Sequence, residues 1–268
     1  MIHLLDMAYL FDALKTKYSM NKQLHLIFAV FVLFSCTKKK NEDNTTPLPC
    51  ESTPWNSAIS YSTLKDIDGN SYKTVTIGSQ TWMAENLKTF RYSNGDSIYF
   101  YKENSVKSSW DGIVLGAVRL PHLSSNTDIL NAATKDYSKC YGNFYNHYAV
   151  MDKRNVCPVG WHVSTAQDWQ NLKQYTDSTV LISGFYQVIK SQNGWLSAEG
   201  TDNVGLRLLP SMNTSMPFTE THVQIFDAWC FDSTEVFSFQ TQSGFSIDKI
   251  IFKSDPKSIG KSIRCVKN

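Results

Sequence analysis

The chain lacks the signatures of the commoner catalytic chemistries. No glycine-rich phosphate loop and no Gly-x-Ser-x-Gly elbow occurs, which removes the usual footing for phosphoryl transfer and for a hydrolase nucleophile. No Cys-x-x-Cys and no His-x-x-x-His spacing occurs either. A metal site would have to gather dispersed ligands, among them His122, His147, His162 and His222, and none is expected. Charge of one sign is also missing: 26 Lys and Arg face 24 Asp and Glu, with no basic stripe, so no nucleic-acid partner is expected. No apolar run reaches the roughly 18 residues that a membrane-spanning helix needs. No repeat of fixed period appears.

What is present begins with an export signal. Met20-Asn21-Lys22 supplies a basic start, and Leu24 to Phe34 is apolar apart from His25. The run stops at Leu33-Phe34-Ser35-Cys36, followed by Lys38-Lys39-Lys40. A cysteine just after small or apolar residues at that point resembles the site where bacterial lipoproteins are cut and acylated, so lipid attachment is expected at Cys36. The resemblance implies a diacylglycerol-type anchor; two chains hold firmly where one gives only marginal binding. The lysine triplet would meet anionic headgroups.

The expected organisation follows. Residues 1–19 read as a mis-assigned upstream start, 20–35 as a lipoprotein signal peptide, 36–62 as a flexible tether rich in Thr, Asn, Pro and Ser, and 63–268 as one domain. Without residues 1–36 the count falls to 23 Lys and Arg against 22 Asp and Glu, close to neutral. The remaining length suffices for a substantial core.

The six cysteines are Cys36, Cys50, Cys140, Cys157, Cys230 and Cys265. Export permits disulfides. With Cys36 acylated five thiols remain, an odd number, and Cys50, in the tether, is the natural one to stay unpaired.

Within the domain, Leu64–Ile67 and Ser71–Ile77 around Asp68-Gly69 predict a hairpin, and Gln80–Met83 a further short strand. Arg91–Asp136 reads as a long excursion, and Tyr141–Tyr148 as an aromatic β-like segment. The clearest helix follows Val163, with Ser164 as cap, Gln167 completing a capping box, and Ala166, Trp169 and Leu172 on the buried face. Beyond it lie short strands at Gly194-Trp195, 205–209, 228–231, 236–239, 245–252 and 262–266, with Ile250 to Phe252 interior. The sum is α+β.

Several ordered blocks carry a family resemblance. They are Asp68-Gly69-Asn70-Ser71-Tyr72-Lys73 through Trp82-Met83-Ala84-Glu85-Asn86-Leu87, Tyr141-Gly142-Asn143-Phe144-Tyr145-Asn146, Cys157-Pro158-Val159-Gly160-Trp161-His162-Val163, Lys190 to Trp195, and Ser262-Ile263-Arg264-Cys265-Val266-Lys267. Together they resemble the Fibrobacter succinogenes major paralogous domain, over about residues 63–268. That family is similar to C-type-lectin-like and formylglycine-generating-type domains. The resemblance implies small twisted antiparallel sheets with one or two helices and long loops, and no agreed catalytic residues. It also implies a Cys157–Cys265 disulfide; Cys140 and Cys230 are a further candidate pair. Three places depart from the family pattern: His147 stands for Trp, Cys230 for Ser, and the tripeptide Ser211-Met212-Asn213 for Gly-Tyr-Arg.

The expected function is a lipid-anchored, non-catalytic binding or surface-interaction domain of the cell envelope, at the outer membrane, with a glycan or protein ligand and no cofactor. Trp110, Trp195, Trp229, Tyr141 and Tyr145 are the candidate ligand contacts, since sugars stack on exposed aromatic faces. The alternatives are a carbohydrate-binding module without calcium, since no Glu-Pro-Asn triplet occurs, or a secreted enzyme with a dispersed metal or Cys/His site such as Cys157 with His162.

Overall fold

Alternation along Ser71–Ile77 decides the centre of the molecule. In a strand, successive side chains take opposite faces, and here Tyr72 enters one apolar cluster while Val75 and Ile77 enter another. In the computed structural model, which describes residues 49–102, 109–121, 137–180, 184–195, 200–210, 225–231, 235–242, 245–246 and 251–268, this strand sits in a five-stranded antiparallel sheet. Its order is β1 (Ser62–Lys65), β2 (Ser71–Ile77), β3 (Gln80–Met83), β12 (Cys265–Lys267), β7 (Trp161–Val163). The last strand thus fills the gap between an early hairpin and the middle of the chain. Trp82 and Val266 face the first core, Met83 and Cys265 the second.

Two smaller sheets flank it. β8 (Ile225–Trp229) and β11 (Ile251–Ser254) both pair with β9 (Glu235–Gln242), whose far end takes β10 (Phe245–Ser246). β11 is therefore an edge strand among the described residues, not an interior one. The third sheet joins β4 (Tyr99–Phe100) in parallel to β5 (Ala117–Arg119), and β5 to β6 (Phe144–Tyr145). The long excursion after Arg91 thus carries regular pairing. The α+β class stands, although no strand is assigned at Gly194-Trp195 or across Gly205–Leu209, where only an isolated Lys190–Leu208 bridge forms.

Helices are short except one. α1 is Pro49–Ser52, α2 Ser138–Tyr141, α3 His147–Val150, α4 Ala166–Thr179 and α5 Phe185–Ile189, with a 3-10 turn at Trp110–Gly112. In α4 the buried face is Trp169, Leu172 and Thr176. Trp169 stacks on Phe237 at 3.9 Å and meets Trp82 at 4.6 Å. The cap is Thr165, not Ser164: its side chain accepts from Asp168 N–H while the Asp168 carboxylate accepts from Thr165 N–H. Ser164 is held by the sheet instead, its N–H donating to Arg264 O and its hydroxyl accepting from Trp169 Nε1.

Tyr141–Tyr148 is likewise only briefly a strand. Gly142 turns at φ 70°, where an added Cβ would lie 2.6 Å from Leu87 O. Asn146 then caps α3, its Oδ1 accepting from Ala149 N–H and from Ala117 N–H. A local polar side chain wins here over the strand pattern.

The described residues from Pro49 onward, within the stretch expected to be tether, cluster with the rest of the domain. Trp55, Ile59 and Tyr61 pack on the core. Arg207 Nη2 donates to Cys50 O and Thr53 O, and its guanidinium lies 4.3 Å from the Trp55 ring. Cys50 is not the unpaired cysteine: it forms a disulfide with Cys140, and Cys157 forms the expected one with Cys265. Cys230 is buried outside both bridges. Paired cysteines place the domain in an oxidising compartment, outside the cytoplasm or in the envelope. No described helix is long and apolar enough to cross a membrane.

Candidate functional site

The five aromatics selected from sequence are all buried, and none presents an exposed face for a sugar to stack on. Trp229 Nε1 donates to Tyr145 O and the Tyr145 hydroxyl to Thr89 O. Trp195 Nε1 donates to Ser191 Oγ and Leu208 O. Tyr141 stacks on Tyr137 beside the Cys50–Cys140 bridge. Trp110 packs against Tyr101 under the Arg119 guanidinium. Their large rings serve the cores.

The remaining candidates disperse as well. Cys157 is oxidised in its bridge and is no nucleophile in this structure. His147 packs edge-on against Trp229 at 5.2 Å, and His162 bonds Asp168 and Asn268. Among the described residues no three His, Cys, Asp or Glu gather as a metal site. Cys36, His122, His222 and Ser211-Met212-Asn213 lie outside the described residues.

A different place gathers the right chemistry. The segment after Arg91 folds back tightly: Tyr92 N–H donates to Asp96 O, Gly95 N–H to Tyr92 O, and Arg91 bridges Ser97. This sets Ile98 and Tyr99 along one wall. The parallel pairing of β4 with β5 brings Val114, Leu115 and Gly116 opposite, and one end is closed by Tyr148 of α3 and by Asp152 and Arg154 of the turn after it. The groove encloses about 560 Å³, within the range of small-ligand sites. Its rim is apolar and open to solvent: Val114 is 75% exposed, Leu115 53% and Tyr99 44%.

Its polar groups are fixed in advance. Arg154 grips Asp152 through Nε–Oδ1 at 2.9 Å and Nη2–Oδ2 at 2.7 Å, and reaches Asp96 Oδ2 at 3.1 Å through Nη1. The same guanidinium stacks 4.0 Å from the Tyr92 ring centre. Hydrogen bonds from Arg154 hold Asp152 down at about 2, while burial pushes the Tyr92 hydroxyl up to about 12. At neutral pH the site therefore offers an anion, a cation and a neutral hydroxyl. That hydroxyl is buried beside the Asp152 carboxylate and the Arg154 guanidinium. Gly116 makes room for it: a Cβ there would lie 2.1 Å from Tyr92 Oη and 3.1 Å from Ala149 Cα.

A wider groove of about 800 Å³ runs along the β1–β2 hairpin past Thr63, Thr74, Thr76, Tyr175 and Lys267, and its lining includes no carboxylate. It lacks the fixed opposite charges of the first. Nothing in the sequence marks Tyr92, Tyr99 or Arg154, because the groove is made by a bend and a parallel pairing with no local motif.

No curated protein and no solved structure matches this chain. The model of the Fibrobacter succinogenes major domain matches residues 75–267, spanning β2 to β12 and including the whole groove. With well over half of its length matched, the chain belongs to the Fibrobacter succinogenes major domain family.

Proposed function

We propose that this protein is a non-catalytic binding protein of the bacterial cell envelope, anchored by lipid on Cys36 at the periplasmic or surface face of the outer membrane. The export-like run ending at Cys36 and the two disulfides support the address.

The ligand is a short saccharide, held without calcium in the groove between Tyr99 and Leu115. The observation that carries this reading is the exposed apolar rim of Tyr99, Val114 and Leu115 beside a pre-paired Asp152–Arg154. Sugars present C–H faces that suit Tyr99, Val114 and Leu115, and hydroxyls that suit Asp152 and Arg154.

The test is a glycan array probed with the detergent-solubilised protein. Retention of a glycan that Tyr99→Ala abolishes, with unchanged thermal stability, supports the reading. Retention that ignores Tyr99→Ala and Arg154→Ala, or no retention on the array, sinks it. Metabolic labelling with a fatty-acid probe tests the anchor separately: label should appear in the wild type and vanish in Cys36→Ala.

A further inference from the structure

Lys261 and Asp227 occupy an unusual position for opposite charges. Both side chains are 0% exposed, and Lys261 Nζ lies 2.8 Å from Asp227 Oδ2. A second carboxylate, Asp255, sits 2.7 Å from the same nitrogen and is 17% exposed. Burying such groups is expensive, and an ion pair in a dry interior is weak ground for stability.

The backbone sets the pair side by side. β8 meets the segment before β12 through a parallel bridge of Ala228 with Ser262, so the preceding residues, Asp227 and Lys261, are neighbours across the two strands. Lys261 is pinned on its other side, its N–H donating to Tyr145 O and its carbonyl accepting from Tyr145 N–H. The Trp229 ring lies 5.7 Å from Nζ and is itself fully buried. Nucleophile and carboxyl carbon are therefore held together without water. Such fixation is worth effective concentrations on the order of 10⁵ M or more.

We propose that Lys261 and Asp227 form an intramolecular isopeptide bond, with Asp255 relaying the protons. The ammonium passes a proton to the Asp255 carboxylate, which frees the lone pair of Nζ. Nζ attacks Cγ of Asp227, and the tetrahedral adduct is protonated on Oδ2 through Asp255. The Cγ–Oδ2 bond breaks and the oxygen leaves as water. Two of the three ammonium hydrogens depart in that water and the third remains as the amide N–H. Asp255 ends as it began, and no oxidant or cofactor is needed. Asp227 is the carbon acceptor because it is fully enclosed and held on a strand. Asp255 follows the end of β11 and has the only solvent exposure of the three, which gives the water its way out.

Peptide mapping of the full-length protein tests this. Trypsin should fail to cut after Lys261 and should yield a branched peptide joining the fragment that contains Asp227 to Ser258–Arg264. That peptide should be lighter than its two parts by one water. Lys261→Arg should abolish it, and Asp255→Asn should leave a protein that folds with most of its Lys261 unlinked. Complete cleavage after Lys261 in the folded wild type overturns the proposal, and so does a link from Lys261 to Asp255. Because the wild-type map decides the matter, a variant that fails to fold does not blur the answer.

Discussion

His162 Nε2 lies 3.0 Å from Asp168 Oδ2, the oxygen that also accepts the Thr165 N–H at the start of α4. One carboxylate thus caps the helix and holds the ring of strand β7. The Asp168 bond raises the affinity of His162 for its proton, against burial that lowers it, with a further bond to Asn268. A base that binds its proton more tightly when folded stabilises the protein below its ordinary value near 6.5, and loses that contribution as pH rises through the higher folded value. The melting temperature should fall more steeply between about pH 6 and 8 in the wild type than in His162→Gln. Parallel slopes in the two proteins would disprove the linkage.

Asp202 works in the same direction by another cause. Burial pushes its carboxyl up to about 7, against the Arg207 N–H that bonds its Oδ1. An acid whose folded value is raised costs stability as pH climbs from its ordinary range near 4 through about 7. Asp202 also has φ 48°, a conformation asparagine tolerates well. Asp202→Asn keeps the acceptor oxygen and removes the charge. Its melting temperature should therefore match or exceed the wild type at pH 8 and show a flatter profile from pH 4 to 7.

The Cys50–Cys140 bridge closes a separation of 90 residues. The chain-entropy argument gives such a loop about 4–5 kcal/mol, and less where the unfolded chain keeps structure. Cys50→Ser should lower the denaturation midpoint accordingly and should expose the peptide bonds around Trp55 to protease first. An unchanged midpoint would mean that the bridge is dispensable.

Leu172 is wholly buried between the Trp169 face and the central sheet. Truncation to alanine should cost about 2–5 kcal/mol, read from denaturant unfolding. Gly116→Ala should cost about 1–3 kcal/mol through the crowding of Tyr92 and should abolish groove binding.

Much of the scaffold could be read in residues 62–83, where the hairpin and third strand declare themselves by alternation and an Asp-Gly turn. The α4 face was equally plain at Trp169 and Leu172. The cap slipped by one residue because Ser164 answers to a distant carbonyl of Arg264, a contact no local pattern reveals. Cys50 misled for the same reason: its partner and the Arg207 clasp come from far along the chain, while the flanking Thr and Pro suggest a spacer. The five chosen aromatics were selected by type, and burial is decided by packing. The groove tyrosines carry no distinguishing neighbours, so only the fold could point to them.

The clasp at Cys50 has a mechanical meaning. Were the lipid on Cys36, as proposed above, fourteen residue steps would reach to Cys50, a leash of at most about 50 Å. A pull on the chain ahead of Cys50 would cross to Cys140 by a covalent bond instead of running through residues 51–139. The strands between positions 50 and 140, which carry the Tyr99 and Leu115 walls of the groove, would not be drawn out in sequence by such a pull.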